Sequence, residues 1–202
     1  QVAPTITEIT STTNDGSYSV GQNVNVTVTM SEAVTLASGT MSVTLNTSTP
    51  NILTVPDLAI SDLEDISYTY TVLEDETATP LTVTALSATS NQLVDAAGNE
   101  ADLSLPLGEN LADNSTINVD GEFPVITGIS ATITPDTLGL GETIDVEIEF
   151  NEALTLSALG SLDVLFDTGQ TVSITSIAAS STAIATYTVG VGEESTDLAV
   201  TS

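Results

Sequence analysis

The chain has 202 residues, of which 28 are Asp or Glu and none is Lys, Arg, His, Cys or Trp. A formal charge of −28 excludes nucleic acid and anionic membrane surfaces as direct partners, because both are bound through Lys and Arg. Without His or Cys, the chain has no Ser-His-Asp triad, no thiol nucleophile and no zinc site of the usual ligands. Its carboxylate, amide, hydroxyl and backbone oxygens instead suit a hard cation, above all Ca²⁺.

Alternating apolar and polar residues predict β-strands along the whole chain. Residues 23–30 and 143–150 alternate strictly, with branched apolar side chains on one face and polar ones on the other. Tyr68 and Tyr70 alternate with apolar neighbours, so we expect them in the core. No helix is predicted. In the first half of the chain, the predicted strands lie at residues 4–10, 23–30, 40–46, 52–60, 66–73, 80–87 and 112–119.

These strands belong to a long internal repeat. Three pairs of segments correspond: Pro4-Thr-Ile-Thr with Pro124-Val-Ile-Thr, residues 31–36 with 151–156, and Tyr70-Thr-Val with Tyr187-Thr-Val. The first two pairs are 120 residues apart and the third is 117 apart. A repeat of this length is a whole domain rather than a solenoid coil. We therefore predict two domains, residues 1–120 and 121–202, with the boundary in the segment 118–124.

Seven strands are the number expected for an immunoglobulin-like sandwich, so the predicted fold is a tandem of antiparallel immunoglobulin-like β-sandwiches. An odd number of strands places the two ends of a domain at opposite poles. The second copy is incomplete at its C-terminus, because Ser202 corresponds to about Ala85 of the first copy. Two explanations stay open: the sequence is cut from a longer array, or a neighbouring molecule supplies the missing strand.

Three motifs of the first copy are Ser31-Glu32-Ala33-Val34-Thr35, Tyr68-Thr-Tyr-Thr-Val72 and Asp95-Ala-Ala-Gly-Asn99. With an Asp-containing linker that leads into a Pro-led strand, they resemble the bacterial immunoglobulin-like, or cadherin-like, repeats of very large surface adhesins. The resemblance covers residues 3–120 and, as a truncated copy, residues 124–202. It departs at Asn151, which stands where the first copy has Ser31, and in the lack of Lys and Arg. It implies an extracellular, cell-surface location and stalks that calcium often stiffens.

One candidate Ca²⁺ site lies at the N-terminal pole of the first domain. The predicted topology brings the turn with Glu32 close to the loop with Asp95 and Asn99. Two carboxylates, an amide and the backbone carbonyls around Gly98 would then form an oxygen shell. The alternative is a plain turn, in which Asp95 and Asn99 cap their own backbone and Gly98 has a positive φ.

A second candidate Ca²⁺ site lies at the junction of the two domains. The linker carries Asp120 and Glu122, and the second copy carries Glu152 beside Asn151. Close carboxylates repel one another unless a cation lies between them, so Ca²⁺ would lock the interdomain angle. The alternative is a solvated acidic hinge with monovalent counterions. Further carboxylates expected at this junction are those of Asp15 and residues 74–76.

Other features carry less weight. Asp62, Glu64 and Asp65 form a loop that we expect to be solvated. Paired carboxylates can hydrolyse glycosides, but the chain has no Trp and no spaced acid/base signature, so no enzyme activity is predicted. N-glycosylation sequons, which matter only in a host that glycosylates Asn, occur at Asn25, Asn46 and Asn114.

These observations favour a structural function. The chain would be a stalk or filament segment of an extracellular surface protein, stiffened by Ca²⁺, with neighbouring repeats or subunits as partners. The alternative is a self-assembling surface-layer or filament subunit whose incomplete second domain accepts a strand from its neighbour. A third hypothesis, an adhesive or sugar-binding module, is disfavoured because the chain lacks Trp and an aromatic patch.

Overall fold

Strands make up almost all of the regular structure, and they are divided between two units. In this computed structural model, which describes residues 2–56, 60–132 and 137–202, unit 1 is Gln1–Phe123 and unit 2 is Pro124–Ser202. The prediction of an all-β fold with antiparallel sheets is confirmed. Among the described residues, no helix is long and apolar enough to cross a membrane.

The described residues of unit 1 form three sheets. Its elements are β1 (Ile6–Thr10), β2 (Gly16–Tyr18), β3 (Asn23–Leu36), β4 (Thr40–Leu45), β5 (Ile52–Pro56), β6 (Leu63–Thr71), β7 (Thr77–Ala78), β8 (Val83–Ala88), β9 (Leu93–Val94), α1 (Leu111–Asn114) and β10 (Ile117–Asp120). Strands β1, β3 and β6 form one antiparallel sheet in that order, with β9 paired to the end of β3. A second sheet has the order β5-β4-β8. The third has the order β2-β10-β7, in which β10 runs parallel to β2 and antiparallel to β7.

The core of unit 1 takes its side chains from all three sheets. Along β3, Val24, Val26 and Val28 are completely buried, while the residues between them are partly exposed, so the predicted alternation is confirmed. Tyr68 and Tyr70 of β6 are also buried, as predicted. Burial of one such valine stabilises the fold by about 1.5–3 kcal/mol. A polar residue at any of the three valines would therefore place an unpaired polar group in this core.

Strand β3 is longer than the sequence pattern indicates. The strand predicted at residues 23–30 continues to Leu36, so the turn predicted at residues 31–34 is wrong. The register against β6 shifts between Thr29 and Val34, and this irregularity takes the place of the turn. The last residues of β3 can then leave β6 and pair with β9.

One helical turn interrupts the all-β pattern, so the prediction that no helix forms is wrong at α1. Asn110 caps this turn, because its Oδ1 accepts the Leu111 N–H at 2.7 Å while its own N–H donates to the Asp113 carboxylate at 2.9 Å. A single turn is too short to show a helical period, and the strand predicted at 112–119 accordingly begins only at Ile117. Residues 57–59 of the strand predicted at 52–60 lie outside the described residues.

Unit 2 repeats the first part of unit 1. Its elements are β11 (Ile126–Ala131), β12 (Thr143–Leu154), β13 (Leu162–Leu165), β14 (Thr171–Ile174) and β15 (Ser180–Thr188). The order β11-β12-β15 matches β1-β3-β6, and the pair β13-β14 matches β4-β5. The final residues then run along β13, where the Leu165 N–H donates to the Ser202 carbonyl at 2.8 Å. Leu165 thus meets Ser202 as Thr44 meets Ala85 in unit 1. The buried core of unit 2 consists of Val146, Ile148, Val164, Phe166, Ala185 and Tyr187.

Candidate functional site

The segment that leads into β1 bonds to the predicted site segment at residues 31–35. The Thr5 N–H donates to Ser31 Oγ at 3.0 Å, and the Ser31 N–H donates to the Thr5 carbonyl at 2.8 Å. Thr5 also pairs in parallel with Asp102. The pairing of β9 with the end of β3 brings Asp95, the residue after β9, to the same pole as Glu32.

The same pair of bonds recurs in unit 2. There the Val125 N–H donates to Asn151 Oδ1 at 2.7 Å, and the Asn151 N–H donates to the Val125 carbonyl at 3.1 Å. The amide oxygen of Asn151 therefore replaces the hydroxyl of Ser31, so the departure from the repeat preserves the acceptor. We call these two bonds the N-terminal clasp of each unit: Thr5 with Ser31, and Val125 with Asn151.

Asp95 is buried, with 5% of its surface exposed, and both of its carboxylate oxygens accept hydrogen bonds. Oδ1 accepts the N–H groups of Ala97 and Asn99, each at 2.8 Å, and Oδ2 accepts Asn99 Nδ2 at 2.7 Å. Gly98 has φ +86°, the left-handed conformation that such a loop requires. The bonds from Asn99, its side chain first, hold the pKa of Asp95 below its ordinary value. This geometry matches the self-capped turn, and a cation at Asp95 would have to replace these bonds.

The remaining predicted ligands lie on strands or beside them. Glu32 is half-buried on β3, whereas Asp120, at the end of β10, and Glu122 are exposed. Glu152 is half-buried on β12 of unit 2. No group of three or more acidic side chains among the described residues is close enough to hold a metal ion. A calcium site does not need three carboxylates, because calcium also binds amide, hydroxyl and backbone oxygens. Ca²⁺ at these residues therefore stays a prediction.

A second buried carboxylate of unit 1, besides Asp95, is that of Glu76. Glu76 is only 4% exposed, and its Oε2 accepts Tyr70 Oη at 2.7 Å and the Leu73 N–H at 3.1 Å. Its Oε1 accepts Asn51 Nδ2 at 3.1 Å. Burial first, and then the hydrogen bond and charge of Glu76, raise the pKa of Tyr70. Three neutral donors therefore satisfy a buried anion in a chain that has no cationic side chain.

The loop that carries Glu76 also holds the chain where it leaves β10. The Gly121 N–H donates to the Glu76 carbonyl at 2.7 Å, and the Asp75 N–H donates to the Gly121 carbonyl at 3.0 Å. A Cβ at Gly121 would lie 2.3 Å from the Leu73 carbonyl oxygen, so only glycine fits there. Glu76, expected from the sequence to be a junction carboxylate, is instead part of the interior of unit 1.

Unit 2 contains the counterpart of this arrangement. Glu193 Oε2 accepts Tyr187 Oη at 2.8 Å and the Gly190 N–H at 2.7 Å. We call the pairs Tyr70–Glu76 and Tyr187–Glu193 the Tyr–Glu anchors. The repeated Tyr-Thr-Val motif pointed to the tyrosines but not to their partners. The signal that could have found the partners is a glutamate six positions after each tyrosine.

Two adjoining cavities, of about 630 and 310 Å³, open on unit 2. Both are lined by Ala131, Ile144 and Leu198, and together we call them the unit 2 groove. The larger cavity is further lined by Thr137, Leu138, Thr168, Tyr187, Val189 and residues 193–197. The smaller is further lined by Ile129, Ser130, Val146, Phe166, Ala199 and Val200.

Asp167 fixes the chain that forms one wall of this groove. Its Oδ2 accepts Ser195 Oγ at 2.6 Å, and its Oδ1 accepts the Ala199 N–H at 3.2 Å. These bonds, that of Ser195 first, hold the pKa of Asp167 below its ordinary value. In unit 1, Asn46 takes the same place, because its Oδ1 accepts the Thr82 N–H at 2.8 Å. A side-chain oxygen at corresponding positions, Asp167 in unit 2 and Asn46 in unit 1, therefore accepts the backbone N–H of the corresponding segment in each unit.

A scan against protein-family models found no match, and searches of curated proteins and of solved structures found no match either. Four features of the chain itself bear on its function: the repeat, the N-terminal clasps, the Tyr–Glu anchors and the unit 2 groove.

Proposed function

We propose that this chain is a structural segment of an extracellular array of immunoglobulin-like sandwich units, a stalk or filament whose partners are neighbouring repeats. The observation that carries the proposal is that a whole folded unit is repeated together with its internal hydrogen-bonded contacts. The N-terminal clasp and the Tyr–Glu anchor occur in both copies, although most surface residues differ. Repeating a whole unit adds length to a chain, which is what a stalk needs.

The chain enters and leaves unit 1 at opposite ends of one sheet. The clasp holds the incoming chain beside Ser31, near one end of the pairing between β3 and β6. Gly121 bonds to the loop of Glu76, which comes after β6 where Thr71 pairs with Asn23 at the other end. The strand from Asn23 to Ser31 spans roughly 26 Å at 3.3 Å per residue. Tension along the chain would therefore load unit 1 along its strands.

Single-molecule force spectroscopy on the full chain, tethered at its two ends, tests this proposal. We expect two separate unfolding events. The unfolded chains of unit 1 and unit 2 are roughly 420 Å and roughly 270 Å long at about 3.4 Å per residue, and each event releases this length minus the span of the folded unit. The Ser31→Ala variant, which removes a bond of the clasp, should lower the force for unit 1. Ser42→Ala, which removes only an exposed contact with Thr54, is the matched control. Unfolding without a measurable force peak would refute a mechanical function.

The proposal includes Ca²⁺ as a stiffening ion at the two predicted sites. The first comprises Glu32, Asp95 and Asn99, and the second comprises Asp120, Glu122 and Glu152. Support comes from the charge balance, because 28 carboxylates and no cationic side chain leave neutralisation to ions from solution. A divalent ion neutralises two carboxylates at once where they approach each other.

The thermal midpoint in chelator, in millimolar Ca²⁺ and in Mg²⁺ at matched ionic strength tests the calcium part. A rise specific to Ca²⁺ that Asp120→Ala abolishes would locate the ion at the junction residues. Glu109→Ala, a change of the same charge elsewhere in unit 1, controls for the general loss of repulsion. An equal response to both ions would show that the carboxylates are only solvated.

A second candidate function is favoured by the unit 2 groove. A self-assembling surface-layer or filament subunit would complete unit 2 with a strand from another polypeptide. The two candidates differ in solution, because a stalk segment stays monomeric at all concentrations whereas a self-assembling subunit grows with concentration. Sedimentation of the purified chain over a wide concentration range separates them.

A further inference from the structure

The chain leaves unit 1 along a short antiparallel ladder. Strand β10 pairs with β7 up to Asp120, which lies opposite Thr77. The pairing then continues beyond both strands. The Gly121 N–H donates to the Glu76 carbonyl at 2.7 Å, and the Gly121 carbonyl accepts the Asp75 N–H at 3.0 Å. Gly121 is therefore an attachment point of the chain at the exit of unit 1.

The loop that receives Gly121 has a special backbone conformation. Asp75 has φ +63°, in the left-handed region that residues other than glycine adopt infrequently. Asp75 and the next residue, Glu76, supply the two backbone groups that bind Gly121. The attachment of the chain therefore depends on the shape of this turn.

The side chain of Glu76 holds the turn from inside the unit. Its Oε2 accepts the Leu73 N–H at 3.1 Å, which bridges the loop, and Tyr70 Oη at 2.7 Å, which joins the loop to β6. Its Oε1 accepts Asn51 Nδ2 at 3.1 Å. Glu76 is only 4% exposed, so water has little access to compete for these bonds.

The same loop occurs in unit 2. Glu193 Oε2 accepts the Gly190 N–H at 2.7 Å and Tyr187 Oη at 2.8 Å. Gly192, the counterpart of Asp75, has φ +79°. The left-handed turn and the carboxylate that bridges it thus occur together in both copies, although the residues of the turn differ.

We propose that Glu76 is a positioning residue that locks the exit of unit 1. Its carboxylate keeps the loop 73–76 in the shape in which Asp75 and Glu76 bind the backbone of Gly121. We call the carboxylate, the loop and Gly121 together the exit lock. Tension on the chain beyond Gly121 then passes through the loop to Tyr70 in the core. This use of the lock under tension rests on the proposed stalk function, whereas the lock itself does not.

Hydrogen exchange of single amides in the full chain, followed by NMR, tests the inference. The reporters are the N–H groups of Asp75 and Gly121, whose bonds go to backbone carbonyls rather than to the Glu76 carboxylate. Glu76→Met fills the same space without the carboxylate oxygens. It should speed exchange at both reporters at least about tenfold more than in β3, because the loop then opens locally. Glu74→Ala, which removes an exposed carboxylate from the same loop, is the matched control and should leave both reporters unchanged.

Glu76→Gln is the conservative variant that should restore the lock. Its amide oxygen accepts the bonds from Tyr70 and Leu73, and its Nε2 can donate to Asn51 once the Asn51 amide turns over. Exchange at Gly121 should therefore return most of the way to the rate in the parent chain. A residue that acts through charge alone would not be replaced by an amide in this way.

Three results would overturn the inference. An equal rise of exchange throughout unit 1 in Glu76→Met would make Glu76 a contributor to general stability alone. An unchanged rate at Gly121 in Glu76→Met, or equally fast exchange in Glu76→Gln, would show that the acceptor oxygens do not hold the loop. Should Glu76→Met fail to fold by circular dichroism, Tyr70→Phe, which removes one donor to the carboxylate, gives the same comparison. These results leave the force and calcium experiments unaffected, so the stalk proposal stands or falls separately.

Discussion

Replacing Tyr70 by Phe removes a single oxygen atom from the Tyr–Glu anchor of unit 1. Tyr70 is completely buried, and its hydroxyl donates to Glu76 Oε2 at 2.7 Å. After the change, the Glu76 carboxylate retains only the Leu73 N–H and Asn51 Nδ2. A hydrogen bond to a charged group contributes about 1.5–3 kcal/mol. We therefore expect the free energy of unfolding of unit 1 to fall by about 2 kcal/mol.

Tyr68→Phe is a close control for this change, because it lies on the same strand two residues away. Tyr68 is 3% exposed, and its buried hydroxyl makes no hydrogen bond in the described structure. Removing an unsatisfied buried hydroxyl relieves a desolvation cost. The stability of unit 1 should therefore stay unchanged or rise by about 1 kcal/mol.

Calorimetric unfolding of the two variants and the parent chain at neutral pH measures the difference. For a unit of this size, a loss of 2 kcal/mol lowers the thermal midpoint by roughly 8 °C. Tyr70→Phe should show this drop and Tyr68→Phe should not. Equal shifts of the thermal midpoint in the two variants would refute this prediction, because the hydrogen bond from Tyr70 to Glu76 would then contribute nothing specific to stability.

Three further changes have outcomes that the structure predicts. The pKa of Asp95 is lowered, so its contribution to stability is complete above the ordinary Asp range and is lost as pH falls through the pKa in the folded state. The Asp95→Asn variant should therefore be less stable than the parent chain at neutral pH, and this difference in stability should shrink in an acid titration. A difference that does not depend on pH would contradict the prediction. Gly121→Ala should destabilise unit 1 strongly because its Cβ would overlap the Leu73 carbonyl, whereas Gly139→Ala, with no atom nearer than 3.6 Å, is the control in thermal unfolding. Burial raises the pKa of Tyr70, so its contribution to stability is complete below about pH 10 and is lost at higher pH. The thermal midpoint of the parent chain should therefore fall between about pH 10 and 12, and the midpoint of Tyr70→Phe should fall less steeply over the same range.

Much of the strand architecture could be predicted because burial has a period of two. Val24, Val26 and Val28 leave no other arrangement for β3, and the same alternation marks β12. The end of β3 could not be predicted in this way. Residues 31–34 carry Ser and Glu, which favour a turn, but the backbone stays extended since Ser31 is held by the clasp and β9 offers new partners.

The site features were harder to find because they depend on contacts between distant residues. The motif at residues 95–99 indicates that Asp95 and Asn99 act together, but the sequence does not show that the turn itself uses both Asp95 oxygens. Glu76 and Glu193 stand in acidic runs that resemble solvated surface. Only the fold turns them inward, onto tyrosines whose repeat is visible in the sequence.

The Tyr–Glu anchors have a consequence for the dependence of stability on dissolved salt. Phenol hydroxyls and backbone N–H groups satisfy Glu76 and Glu193, and the sequence has no Lys, Arg or His side chain that could form an ion pair. Added salt therefore has no attraction between charged side chains to weaken, while it screens the repulsion among 28 carboxylates. The screening distance shortens from about 30 Å at 0.01 M to about 3 Å at 1 M. The stability of this fold should therefore rise with salt concentration and be lowest in water of low ionic strength.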